Sequence, residues 1–91
     1  MEFEWDPKKN EANIRKHGVT FIEAATVFSD VLSITVPDPD HSQEEDRYII
    51  IGMSGQNRLV MAAHMERGEC IRIISARELT RSEKRNYEEN R

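Results

Sequence analysis

The sequence predicts an α+β fold: a mainly antiparallel sheet packed against two N-terminal helices, with a C-terminal helix closing the chain. Three observations lead there. Two capped helical patterns follow a short apolar–acidic alternation before Asp30. The hydrophobic period then changes to two. Three runs rich in strand formers, joined by glycine-bearing turns, fill residues 47–77.

Phe3-Glu4-Trp5 alternates apolar with acidic and reads as a short first strand. Asp6-Pro7-Lys8 opens a helix, because aspartate caps the free backbone N–H groups and proline suits the first helical position. Ala12 and Ile14 supply its apolar stripe, and Gly18 ends it. Thr20 and Glu23 have capping-box spacing for a second helix, whose buried face is Phe21, Ala24, Ala25 and Phe28. Leu32, Ile34 and Val36 then mark a strand ending at Pro37, followed by a polar, two-proline loop through Glu45. Arg47–Met53 and Leu59–Met65 form a hairpin across Ser54-Gly55-Gln56-Asn57. Arg67-Gly68-Glu69 turns the chain into Cys70–Arg77, completing an antiparallel meander. Thr80 and Glu83 repeat the capping-box spacing and open a polar helix through Tyr87, held down by Leu79, Tyr87 or a partner.

A chain of 91 residues is expected to make a single domain, residues 1–91, that buries only about 60–65% of its extended surface. The acidic start, Met1–Asp6, lacks the apolar run of a signal peptide, and no segment approaches the roughly 20 apolar residues of a membrane span. The single cysteine, Cys70, excludes an internal disulfide and fits a reducing compartment, so a cytoplasmic protein without membrane contact is expected. The net charge of −4 argues against a simple nucleic-acid binder. Its distribution softens that objection. Residues 1–46 carry 11 acids and 4 bases, whereas residues 47–91 carry 6 acids and 9 bases.

Two clusters offer chemistry. Arg72 and Arg77 flank an aliphatic run, and a guanidinium pair suits a phosphate because each binds it bidentately and stays charged. In a regular strand they lie on opposite faces, unless a bulge or the strand's end turns one around. The plainer reading is that they cap the sheet or pair with Glu69 or Glu78. His41, Glu44, Glu45 and Arg47 gather around the proline-rich loop, where a histidine and a carboxylate can exchange protons near neutral pH. The plainer reading there is a solvated acidic turn. His17, His41, His64 and Cys70 match no zinc spacing, and no glycine-rich phosphate loop is present, so neither a metal nor a cofactor is expected.

The residues also resemble a known family. Phe3-Glu4-Trp5-Asp6-Pro7-Lys8, Asn13, Lys16-His17-Gly18-Val19, Phe21-Ile22-Glu23-Ala24, Val27-Phe28, His41-Ser42 with Glu45 and Arg47, Ile51-Gly52-Met53-Ser54 and Arg72-Ile73-Ile74-Ser75-Ala76-Arg77 look like BrnT toxins, in order from Phe3 to about Tyr87. The resemblance implies a RelE-like fold and a metal-independent ribonuclease toxin that halts translation. It implies a BrnA-type antitoxin of the ribbon-helix-helix kind as partner, with operator DNA bound only through that antitoxin. The RNA substrate would be met on or off the ribosome.

On this reading Arg72 and Arg77 clamp the phosphate, Arg47 or Arg58 assists, and His41 or Glu45 transfers a proton. Lys16 and His17 follow from the resemblance as RNA-binding candidates, and Arg58 from its charge beside the hairpin glycine. The competing readings are a non-catalytic protein holding RNA or the ribosome on the same arginines, and a regulatory subunit that acts only in complex.

Overall fold

The computed structural model describes residues 1–41, 43 and 46–90. Its elements run β1 (Glu2–Glu4), α1 (Pro7–His17), α2 (Phe21–Thr26), β2 (Ile34–Pro37), β3 (Arg47–Met53), β4 (Leu59–Arg67), β5 (Cys70–Glu78) and α3 (Arg81–Glu89), with short 3₁₀ turns at Val27–Ser29 and Pro39–His41. The sheet order is β1-β5-β4-β3-β2. All neighbours are antiparallel except β1 and β5, which run parallel. The predicted α+β class therefore holds, as does the meander of β3, β4 and β5.

Local chemistry explains the helix boundaries. The Asp6 carboxylate accepts the Lys8 N–H at 2.9 Å, and Pro7 follows in the first turn. Gly18 closes α1 at φ +70°, a left-handed conformation that glycine adopts without steric cost. The apolar stripe expected on α1 is not what the helix buries, because Ala12 and Ile14 are exposed. Asn13 is buried instead. Its amide donates to the Val19 and Ala76 carbonyls, both at 2.8 Å, and accepts the Ala76 N–H at 3.0 Å. This side chain pairs with β5 beyond the point where three-residue β1 ends.

One sheet face packs on α2 and the Val27–Ser29 turn. Phe21, Ala24 and Val27 meet Ile50, Val60, Ala62, Ile71, Ile73 and Ala76 in one cluster, where each large aliphatic or aromatic side chain contributes about 1.5–3 kcal/mol by burial. His64 joins this face, edge-on to Phe28 and stacked with Tyr48. Burial lowers its pKa. Gly52 is required by close approach, since a Cβ there would lie 2.9 Å from both Asp30 Oδ2 and Ser33 Cβ.

The C-terminal helix lies over the opposite face. Ile51 and Met61, which alternate with core-facing Ile50, Val60 and Ala62, line a cavity with Leu79, Glu83 and Tyr87. The Tyr87 hydroxyl donates to the Leu32 carbonyl at 2.9 Å. The α3 capping box forms in full between Thr80 and Glu83. Among the described residues, no helix is long and apolar enough to cross a membrane.

Candidate active site

The decisive local feature is an irregularity in β5. Ala63 of β4 pairs with Ser75, but the next residue, His64, pairs with Ile73, so Ile74 is the extra residue of a bulge. The bulge changes the phase of the strand. Arg72 lies opposite Met65 and Arg77 opposite Met61, which puts both arginines on the face away from the α2 core. A regular strand would have separated them.

That face carries a groove of about 280 Å³. Ile49, Met61, Ala63 and Ser75 line it from the sheet, along the register that pairs Ile49 with Ala63 and Ala63 with Ser75. Arg77 and Arg47 line it from strand positions, Asp38 from just past the end of β2, His41 and Asp40 from the 3₁₀ turn, and His17 from the last turn of α1. Helix periodicity explains His17: it stands four residues after Asn13, above the amide that grips Ala76.

The arginines are held by carboxylates. Arg77 meets Glu83 through a two-pronged contact, Nη1 to Oε1 at 2.8 Å and Nη2 to Oε2 at 3.0 Å, and also donates to the Glu78 carbonyl. With the Thr80 backbone also donating to it, Glu83 has its pKa driven down to about 2, chiefly by Arg77. Arg72 bonds Glu4 of β1 at 2.6 Å and does not line the groove. Arg47 donates from Nε to Asp38 Oδ2 at 3.2 Å. Asp38 is only 4% exposed.

Other sequence candidates stand elsewhere. Arg58 grips Glu23 through Nε at 2.9 Å and through a second, short contact from Nη2, and donates to the Gly18 carbonyl. Ser54 adds a 2.7 Å hydroxyl bond to the same carboxylate. Glu23 is thereby held ionised inside the fold, its pKa lowered first by Arg58. This use of Glu23 also leaves the expected α2 capping box half-made: Thr20 accepts the Glu23 N–H, but the carboxylate reaches Arg58 instead. Lys16 is exposed on α1 and does not line the groove. Glu45 lies outside the described residues. Asp38 was absent from the sequence candidates, although a signal was present. Asp38-Pro39-Asp40 repeats Asp6-Pro7-Lys8, and in both the aspartate accepts the N–H two residues on.

The family profile described as "Ribonuclease toxin, BrnT, of type II toxin-antitoxin system" matches residues 5–83. This chain belongs to the BrnT family. A crystal structure at 1.1 Å resolution of the Brucella abortus ribonuclease toxin BrnT superposes on it with a TM-score of 0.70. The two are 25% identical, over 89% of this chain and 99% of that one. No curated protein matches it significantly by sequence. As a BrnT-family chain it is a ribonuclease toxin of the type II toxin–antitoxin class, the family its residues resemble.

The motifs of that resemblance divide by role in the structure. Asn13, Gly18, Gly52 and Ser54 serve the BrnT fold, by strand pairing, helix termination, close approach and the Glu23 anchor. His17, His41, Arg47 and Arg77 line the groove.

Proposed function

We propose that the groove between His17, the Pro39–His41 turn and Arg77 is where this BrnT toxin cleaves RNA, without a metal ion. The observation that carries this reading is the meeting of two arginines and two histidines over an aliphatic floor on an open sheet face. Cleavage needs a proton taken from the ribose 2′-OH, in-line attack of that oxygen on the adjacent phosphorus, and a proton given to the departing 5′-oxygen. The products are a 2′,3′-cyclic phosphate and a 5′-hydroxyl. Arginine donors stabilise the extra charge on the phosphate, and histidine is the side chain suited to proton transfer at neutral pH. Arg77 and Arg47 take the first role and His41 the second, with His17 or Glu45 as its counterpart.

Arg72 acts from the neighbouring strand positions, and releases Glu4 when a longer RNA extends past the groove. Arg58 and Lys16 are left to structure and to the outer surface. RNA loss halts translation in the cell, and an antitoxin chain neutralises the toxin by covering this face. An antitoxin of the ribbon-helix-helix kind would then carry the operator DNA contact.

Expression of the chain alone, with growth and total RNA followed over time, tests the reading. Growth arrest with RNA loss is expected for the native chain and not for folded Arg77→Ala or His41→Ala. In vitro cleavage that persists in excess EDTA supports metal independence. Cleavage restored only by a divalent ion overturns it. RNA binding with no cleavage by the native chain favours the non-catalytic alternative.

A further inference from the structure

We propose that Asp38 is the positioning residue of this groove: its buried carboxylate orients Arg47, and its backbone and side chain together fix the turn that presents His41. The inference rests on reading the groove as the cleavage site, and it adds a residue that acts through Arg47 and the His41 turn and is absent from the motifs of the family resemblance.

Four bonds meet at this residue. Asp38 Oδ1 accepts the Asp40 N–H at 3.0 Å, and Oδ2 accepts Arg47 Nε at 3.2 Å. Its own N–H donates to the Arg47 carbonyl at 3.1 Å, and its carbonyl accepts the His41 N–H at 3.2 Å. The residue therefore ties the first turn after β2 to the first residue of β3. The described residues after Asp38 in this loop bury little apolar surface. Pro39, Asp40 and the 3₁₀ segment are exposed or half-buried, whereas Asp38 is 4% exposed. A buried carboxylate is costly unless its lone pairs are used, so its burial shows that the bonds are made in the folded state. Holding Nε fixes the plane of the Arg47 guanidinium, which then meets a phosphate without first giving up rotamer freedom. Because the same carboxylate caps the turn carrying His41, phosphate binding and proton transfer are aligned by one residue. Asp38 lines the groove beside Arg47, and both of its carboxylate oxygens are engaged, one by the Asp40 N–H and one by Arg47 Nε.

Asp38→Asn keeps an oxygen for the turn N–H but loses the charge that holds Arg47. Asp38→Ala loses both. With a fluorophore–quencher RNA oligonucleotide, Asp38→Asn is expected to lower kcat about 10- to 100-fold, the scale of one charge-assisted hydrogen bond, with KM within about threefold of native. In an Arg47→Ala background the same substitution is expected to add no further loss, because it acts through Arg47. Native kcat in folded Asp38→Asn, or losses that multiply with Arg47→Ala, would overturn the proposal. A second readout needs no activity. In ¹⁵N NMR spectra the Arg47 Nε–H signal should shift and exchange faster in both variants, and the His41 amide should move in Asp38→Ala. If both signals stay in place in Asp38→Ala, Asp38 positions neither group. If the native chain cleaves no RNA while these signals move, the cleavage reading fails and the positioning stands.

Discussion

Arg58→Ala separates what holds this toxin together from what acts on RNA. Glu23 is 3% exposed, and Arg58 supplies it with two charge-assisted hydrogen bonds, leaving only the Ser54 hydroxyl when removed. Arg58 also ties the α1 terminus through the Gly18 carbonyl at 3.1 Å. Breaking a buried pair by removing one partner costs about 3–5 kcal/mol, because the remaining charge stays desolvated. Arg58 is one-third exposed, so water entering the vacated space reduces the cost to about 3 kcal/mol. A domain of this size has about 5–14 kcal/mol in total, and 3 kcal/mol lowers Tm by about 12–24 °C. Urea unfolding followed by Trp5 fluorescence measures it, since this sole tryptophan lies edge-on to Phe21 of α2 at 6.1 Å. Two controls sharpen the result. Glu23→Gln combined with Arg58→Ala recovers part of the loss, because no buried charge remains unpaired. The acid limb supplies the second. Arg58 lowers the Glu23 pKa below its ordinary 4.5, so this contribution is complete above about pH 4.5 and is lost as pH falls through the folded-state value. Arg58→Ala should flatten that limb. Stability within 1 kcal/mol of native would refute the reasoning. Native stability with cleavage abolished would make Arg58 a substrate contact instead.

Three further outcomes are expected. Asn13→Ala leaves the Ala76 N–H and two carbonyls without their partner and should cost roughly 3 kcal/mol, with faster amide exchange at Ala76 as the local sign. Burial lowers the pKa of His64 below 6.5, so the unfolded chain takes up a proton first; stability is whole above about pH 6.5 and declines as pH falls toward the folded-state value. His64→Phe should flatten that decline in pH-dependent urea titrations, if its ring repacks against Phe28 and Tyr48. Glu83→Gln weakens an ion pair that is more than one-third exposed, so global stability should change by less than about 1 kcal/mol. Amide exchange across Arg81–Glu89 should quicken nonetheless, because the same carboxylate completes the α3 cap.

Much of the fold was legible because its signals are local. Asp6-Pro7, Gly18, Thr20 and Thr80 act on backbone groups within four residues, and all four mark helix ends in the structure. β3 runs over Arg47–Met53 as its strand formers indicate. The α1 stripe misled because an amide, not an apolar side chain, is what this helix buries against β5. The candidate site was legible in its residue types more than in its grouping. His41, Arg47, Arg77 and His17 do meet at one groove, whereas Arg72 bonds Glu4, Lys16 does not line the groove and Arg58 serves Glu23. Asp38 was visible only as a cap of its turn, since its bond to Arg47 spans nine residues and a strand entry.

The sequence by itself determined the helix caps, the order of strands and helices, the hairpin turns and membership in the BrnT family, because each depends on neighbouring residues or on a pattern carried in order along the chain. Tertiary structure alone decided which face each arginine occupies. A single extra residue at Ile74 reverses the alternation of β5, and that bulge depends on how β4 and β5 align across the sheet. It also decided which carboxylate each arginine meets: Glu23 is 35 residues from Arg58, and Glu4 is 68 from Arg72. Charges so far apart in sequence become partners only when the sheet brings them within reach, and no local pattern records that choice.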